Sequence, residues 1–177
     1  MRTIVFSLLL LILTSCAPSL RYYTKDLQDD SRWSVAELKK IQFYVSGDIY
    51  LWRDLSRGES VISNGKIKLV NGREVEEVVI RKGTPGVFLF SPKSNHYAIS
   101  FDARDDSPFL VFGPSEQANN RYVLLAREWA QQHGKVTYGD KEYRTGAESA
   151  YVYLMVDLDK SNRTKVSSTS AGGRKVE

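Results

Sequence analysis

The sequence predicts an all-β domain, a single sandwich or partly closed barrel of antiparallel meander hairpins with one short N-terminal helix. Two observations predict it. Apolar residues alternate with polar ones over many short stretches from Ile41 onward, and turn dipeptides of the Asn-Gly and Gly-Asp kind separate those stretches. No internal repeat interrupts the pattern.

The helix comes first. Ser34-Val35-Ala36-Glu37 fits a capping box, in which the serine hydroxyl takes the amide of the residue three positions on and the glutamate reaches back. A helix to about Lys40 follows. From Ile41 the period becomes two. Phe43, Val45, Ile49 and Leu51 share one parity and are expected in the core if the strand is unbroken, with Tyr44, Ser46, Asp48, Tyr50 and Trp52 on the other face. Ser63-Asn64-Gly65 and Val70-Asn71-Gly72 are turn sequences around the alternating Lys66-Ile67-Lys68-Leu69. In the next strand Glu76 and Glu77 break the alternation, and a bulge there would restore Val78 and Ile80 to one face. Gly83-Thr84-Pro85-Gly86 predicts a type II turn centred on Pro85 and Gly86.

Strands are then expected over 86–90, 96–102 and 109–112, and a hairpin over 134–138 and 141–144 around Gly139-Asp140. Residues 121–132 suit two readings. Val123 and Leu125 fit a buried strand, while Tyr122, Leu125, Ala126 and Trp129 fit a helix; the balance favours strand to about Arg127. Residues 151–156 are apolar on both parities, the pattern of a central strand covered on two faces.

The beginning of the chain carries an address. Met1-Arg2-Thr3 supplies a positive charge, and an apolar run from Ile4 to Leu13 follows. That run is shorter than the ~20 residues of a membrane-spanning helix and has the form of a secretory signal. Leu13-Thr14-Ser15-Cys16 resembles the lipobox of bacterial membrane lipoproteins, and the resemblance covers residues 1–16. It implies cleavage before Cys16, a diacylglycerol on its thiol and an acylated amino group. Two or more chains give stable anchoring. The organisation expected is then a signal peptide over 1–15, a lipidated tether over 16–30, the β domain over 31–159 and a basic, disordered tail over 160–177. Ala17 after the cysteine, with no aspartate there, resembles the sorting pattern of lipoproteins on the outer membrane facing the periplasm.

Cys16 is the only cysteine, and the only histidines are His96 and His133. A disulfide, a redox pair and a thiolate metal site are therefore outside this chain's chemistry, and no cofactor or metal is expected. The formal charge of +4 is misleading. It resides in the tail, in Lys160, Arg163, Lys165, Arg174 and Lys175, which leaves the domain near neutrality and predicts no nucleic-acid binding.

Candidate binding chemistry centres on Tyr44, Tyr50 and Trp52, because Tyr and Trp join a broad apolar face to a hydrogen-bonding tip. A place in the core beneath the Ser34 helix or a second sheet suits the same rings better, since Tyr and Trp are common core residues. Asp102, Asp105 and Asp106 could hold calcium but lack the spacing of a calcium loop and fit a solvated turn. His96 and Glu128 are the one pair open to base chemistry, with no nucleophile motif beside either. The sequence thus favours a non-enzymatic envelope module acting by contact with a protein partner. The alternative is a binder of glycan, peptidoglycan fragment or lipid; a carboxylate hydrolase comes third.

Overall fold

The computed structural model describes residues 19–56, 65–103, 108–130 and 132–158. The lipobox with Cys16, the Ser63-Asn64 turn, Asp105, Asp106 and the basic tail from Lys160 lie outside the described residues. The fold is all-β, with two antiparallel sheets packed together. The first sheet orders seven strands as β1 (Leu20–Tyr22), β13 (Leu154–Asp157), β2 (Gln42–Val45), β6 (Pro85–Lys93), β7 (His96–Ser100), β8 (Phe109–Ser115) and β9 (Arg121–Leu124), and the second orders six as β10 (Glu128–Trp129), β11 (His133–Tyr138), β12 (Lys141–Gly146), β3 (Ile49–Asp54), β5 (Arg73–Ile80) and β4 (Lys66–Val70).

Two short helices precede the sheets' main body. After β1 (Leu20–Tyr22), helix α1 (Lys25–Ser31) starts where the Thr24 hydroxyl accepts the Leu27 amide. Helix α2 (Val35–Leu38) carries the expected capping box, with Ser34 and Glu37 exchanging both bonds. The stretch expected as tether over 16–30 is therefore folded from Leu20 onward. The reason is Tyr23, which is fully buried and touches the rings of Trp33, Phe43, Tyr97 and Tyr122. One buried ring every few residues leaves no periodic signature in a sequence.

The first sheet curls until its ends meet. Beyond β1, the Tyr23 carbonyl accepts from the Tyr122 amide (3.0 Å) and the Lys25 amide donates to the Asn120 carbonyl (2.9 Å). A second bridge joins Val123 to Tyr153, so β9 (Arg121–Leu124) meets the start of β13 (Leu154–Asp157). Bridging of this kind removes most of the free edge of the sheet.

The chain changes sheets at bends. Strand β2 (Gln42–Val45) lies in the first sheet and β3 (Ile49–Asp54) in the second, with the break at Ser46-Gly47-Asp48. Phe43, Val45, Ile49 and Leu51 are all buried, as their shared parity predicts, because both strands turn that side to the common core. The hairpin of β4 (Lys66–Val70) and β5 (Arg73–Ile80) turns at Asn71-Gly72, with φ of 50° and 76°, the two positive angles of a type I′ turn.

Two expected details change. Strand β5 pairs without a register shift along β3 and β4, so there is no bulge at the adjacent acids. Glu76 keeps the inward parity of Val78 and Ile80 and is itself buried, its charge met by Arg53 Nε at 2.6 Å. The turn before β6 (Pro85–Lys93) is also earlier than predicted. The Thr84 amide closes on the Arg81 carbonyl at 2.9 Å, and Gly83 supplies the positive φ of 77°. Pro85 and Gly86 already pair with Tyr44 and Phe43. Gly86 has to be glycine, since a Cβ there would lie 2.5 Å from the Phe101 ring.

The other strands follow their patterns. These are β7 (His96–Ser100), β8 (Phe109–Ser115), β11 (His133–Tyr138) and β12 (Lys141–Gly146), the last two joined at Gly139-Asp140. Within the stretch open to two readings, residues 121–130 carry strand β9 and the two-residue β10 (Glu128–Trp129), not a helix. The 151–156 stretch is half right. Leu154 and Val156 are buried in β13 between β1 and β2, but Tyr151 closes the 3-10 turn Ala147–Tyr151 and is exposed.

Candidate functional site

The structure does not bring Tyr44, Tyr50 and Trp52 onto one face. Tyr44 is buried in the first sheet opposite Met155 and Pro85. Tyr50 and Trp52 are half-buried on the second sheet, on the side away from the core. The bend at Ser46–Asp48 is the cause: parity is preserved through it, but the sheet is not. Tyr50 is engaged locally. Its hydroxyl donates to Asp48 (3.1 Å) and accepts from Arg81 (2.8 Å), whose guanidinium also sits 5.6 Å from the ring centre. The Lys82 amide and the Arg81 guanidinium hold the Asp48 carboxyl below its usual range. Trp52 lies in register between Arg144 and Glu77, within a face of exposed ion pairs such as Lys68–Glu77 and Arg144–Asp54. Such pairs contribute ~0–1 kcal/mol each and mark a solvated face.

The remaining sequence candidates are separate. His96 Nδ1 donates to the Ser94 carbonyl at 2.8 Å, and Glu128 accepts from Lys135 at 3.2 Å. Asp102 is buried two residues past the end of β7, not in a solvated turn. Among the described residues no three His, Cys, Asp or Glu side chains lie close enough to share an ion.

Two surfaces stand out instead. The first is strand β4 at the edge of the second sheet. Every residue of it is exposed, and Ile67, Leu69 and Val70 are 57, 75 and 47% exposed. It pairs with β5 on one side, and no described strand pairs with the other. An edge strand offers a row of amides and carbonyls to any extended segment that approaches. Lys66 and Lys68 alternate with Ile67 and Leu69, so one side of the strand is cationic and the other apolar.

The inner end of that hairpin is polar. Glu76 and Arg53 form their ion pair next to Tyr143, whose ring lies 5.8 Å from the Arg53 guanidinium. The Tyr143 hydroxyl is buried and, among the described residues, meets no partner in good hydrogen-bond geometry. Burial first and the Glu76 charge second push its ionisation above the ordinary tyrosine range. An open cavity of about 380 Å³ lined by Arg53, Asp54, Lys135, Glu142, Tyr143 and Arg144 leads to this cluster.

The second surface is an aromatic groove of about 480 Å³, lined by Pro114, Val123, Leu125, Trp129, Tyr151 and Tyr153. Trp129 and Tyr151 are 39 and 73% exposed. Arg121 borders it, its guanidinium 4.2 Å from the centre of the Tyr22 ring and 5.2 Å from that of Tyr153. Sequence reasoning missed this groove because it read 151–156 as one covered strand. The small residues of Gly146-Ala147-Glu148-Ser149-Ala150 just before Tyr151 are the signal of the break.

Comparisons of the chain with protein-family models, with curated proteins and with solved structures found no match, so the functional reading rests on these two surfaces.

Proposed function

We propose that the protein is a lipid-anchored module of the bacterial cell envelope that acts by protein–protein contact. Cys16 holds it on the outer membrane facing the periplasm, and β4 is the contact strand. The observation that carries the reading is the edge: five consecutive exposed residues, apolar on one side, with a free flank among the described residues. Confinement to a membrane raises the effective concentration of such a module near partners on the same surface.

The partner segment is an extended strand, apolar opposite Ile67 and Leu69 and acidic opposite Lys66 and Lys68. A second copy fits less well. Antiparallel pairing of β4 with itself, centred on Lys68, sets two lysines directly opposite, which is destabilising. Lys68 is held by Glu77 at 2.6 Å, an exposed pair weak enough to exchange for a partner's carboxylate.

Affinity purification from gently solubilised membranes tests this. A near-stoichiometric protein partner is expected with the wild type. It should be lost with Ile67→Lys/Leu69→Lys, and lost or depleted with Cys16→Ala. Both β4 positions are exposed, so the double variant should keep its stability within ~0.5 kcal/mol per site. A protein recovered alone, or a partner retained by the β4 variant, overturns the assignment.

The aromatic groove favours a second reading, a binder of glycan or lipid fragments, since the exposed rings of Trp129 and Tyr151 with a bordering arginine suit both. Under it, titration with peptidoglycan fragments should perturb Trp129 fluorescence saturably. Tyr151→Ala should then weaken binding about tenfold or more, the loss of roughly 1.4 kcal/mol. A flat titration removes that reading.

A further inference from the structure

We infer that the aromatic groove receives a saccharide that carries a carboxylate, and that Arg121 is the group that binds the acid. The inference rests on the reading of the groove as a ligand site and names what the ligand bears. Its starting point is a strand period. Arg121 and Val123 alternate along β9 with the buried Tyr122 and Leu124, and Val123 lines the groove. Arg121 therefore stands at the end of the groove on the same face of the strand.

Two rings hold its guanidinium. Those of Tyr22 and Tyr153 lie 4.2 and 5.2 Å from it and pack edge to face on each other at 5.4 Å. Tyr153 is also a wall of the groove, so the cation and the groove share a side chain. Among the described residues no carboxylate pairs with Arg121 and no acceptor takes its side-chain N–H groups. Glu116 follows Ser115, the register partner of Arg121, without pairing with it, and Asp26 accepts from Asn120 instead. A guanidinium held over rings keeps its edge of N–H donors, and that edge fits a carboxylate with two parallel hydrogen bonds.

The rest of the groove suits a sugar better than an acyl chain. Trp129 is seated against Gly134, where a Cβ would lie 2.7 Å from the ring, and it remains exposed, as does Tyr151. Such rings offer flat apolar faces to the C–H side of a sugar. Ser115 and Gln117 also line the groove, with side chains that make no hydrogen bond among the described residues. An acyl chain would cover these groups without replacing their water, a cost that sugar hydroxyls remove.

Calorimetric titration of the full chain in phosphatidylcholine vesicles, with a matched pair of probes, tests this. One is the disaccharide of N-acetylglucosamine and N-acetylmuramic acid, whose lactyl group carries a carboxylate; the other is chitobiose, which has none. The acidic probe is expected to bind about tenfold more tightly at low salt, and the difference should shrink as salt is raised. Arg121→Gln should weaken the acidic probe about tenfold and bring the two to one affinity, whereas Tyr151→Ala should weaken both alike. Equal binding of the two probes by the wild type, or a difference that survives Arg121→Gln, overturns the inference and leaves the groove a saccharide site. Binding of neither probe overturns both. Displacement of the acidic disaccharide by equimolar glycerol 3-phosphate overturns the saccharide in favour of a phosphate headgroup.

Discussion

Arg53→Ala is expected to destabilise the domain by about 3–5 kcal/mol, because it leaves the Glu76 carboxylate buried without its countercharge. Glu76 is fully buried and Arg53 only 11% exposed, at an Nε–Oε2 distance of 2.6 Å. The cost comes from desolvation: the guanidinium at this distance repays part of what it costs to take the carboxylate out of water, and its removal withdraws that part. Replacing both, as Arg53→Met with Glu76→Leu, should recover most of the loss, since apolar side chains of similar size owe no desolvation cost. Denaturant unfolding of the three variants measures this. A loss under about 1 kcal/mol for Arg53→Ala would mean that water reaches Glu76. Glu76 also sits where the hairpin of the proposed contact strand joins the core, in register with Ile67 on one side and Arg53 on the other. Weakening the pair should loosen β4 before the first sheet.

The second large effect is expected at Tyr23. Tyr23→Ala should cost about 3–5 kcal/mol, the usual range for emptying a large aromatic site. The ring packs against four others, with centroids 4.8 to 6.0 Å away. Its hydroxyl bonds Gln28 and approaches the Tyr97 hydroxyl at 3.3 Å. Burial first, and the neighbouring Tyr97 hydroxyl second, drive its ionisation far above the normal tyrosine range. Tyr23→Phe keeps the packing and removes the hydroxyl, so it should cost only about 1 kcal/mol. If both variants cost the same, the hydrogen bonds and not the rings hold the segment. The backbone carbonyl of residue 23, which the alanine variant keeps, bridges to β9, so loosening the segment by emptying the ring's site should weaken the first sheet where its ends meet.

These two residues mark where the sequence was legible and where it was not. Alternation read directly gave the β class, the Asn71-Gly72 and Gly139-Asp140 hairpins and the inward set Phe43, Val45, Ile49 and Leu51. Each is a local signal, carried by turn chemistry or period two. The capping box at Ser34 is local as well. Tyr23 and Glu76 are not. A lone tyrosine among polar residues looks like tether, and two adjacent acids look like a bulge, until partners 20 to 100 residues away fill their surroundings.

The candidate surfaces were hidden for a related reason. Tyr44, Tyr50 and Trp52 share a parity, but parity identifies a face only while a strand stays in one sheet, and the bend at Ser46–Asp48 moves the chain to the other. The groove at Trp129, Tyr151 and Tyr153 draws on segments joined by the closing of the first sheet, a long-range event with no sequence period. The β4 edge was half visible. Its alternation was plain in Lys66-Ile67-Lys68-Leu69, whereas its place at the outside of the sheet depends on the β3-β5-β4 order.

The measurement that tests the contact account most directly is photocrosslinking in living cells, with a photoreactive residue at Leu69 and, separately, at Trp129. The account predicts one discrete protein adduct from Leu69, abolished when Cys16→Ala releases the anchor and displaced when Lys66 and Lys68 are reversed in charge. No protein adduct from Leu69, or the same adduct appearing only from Trp129, would contradict it and transfer the function to the aromatic groove.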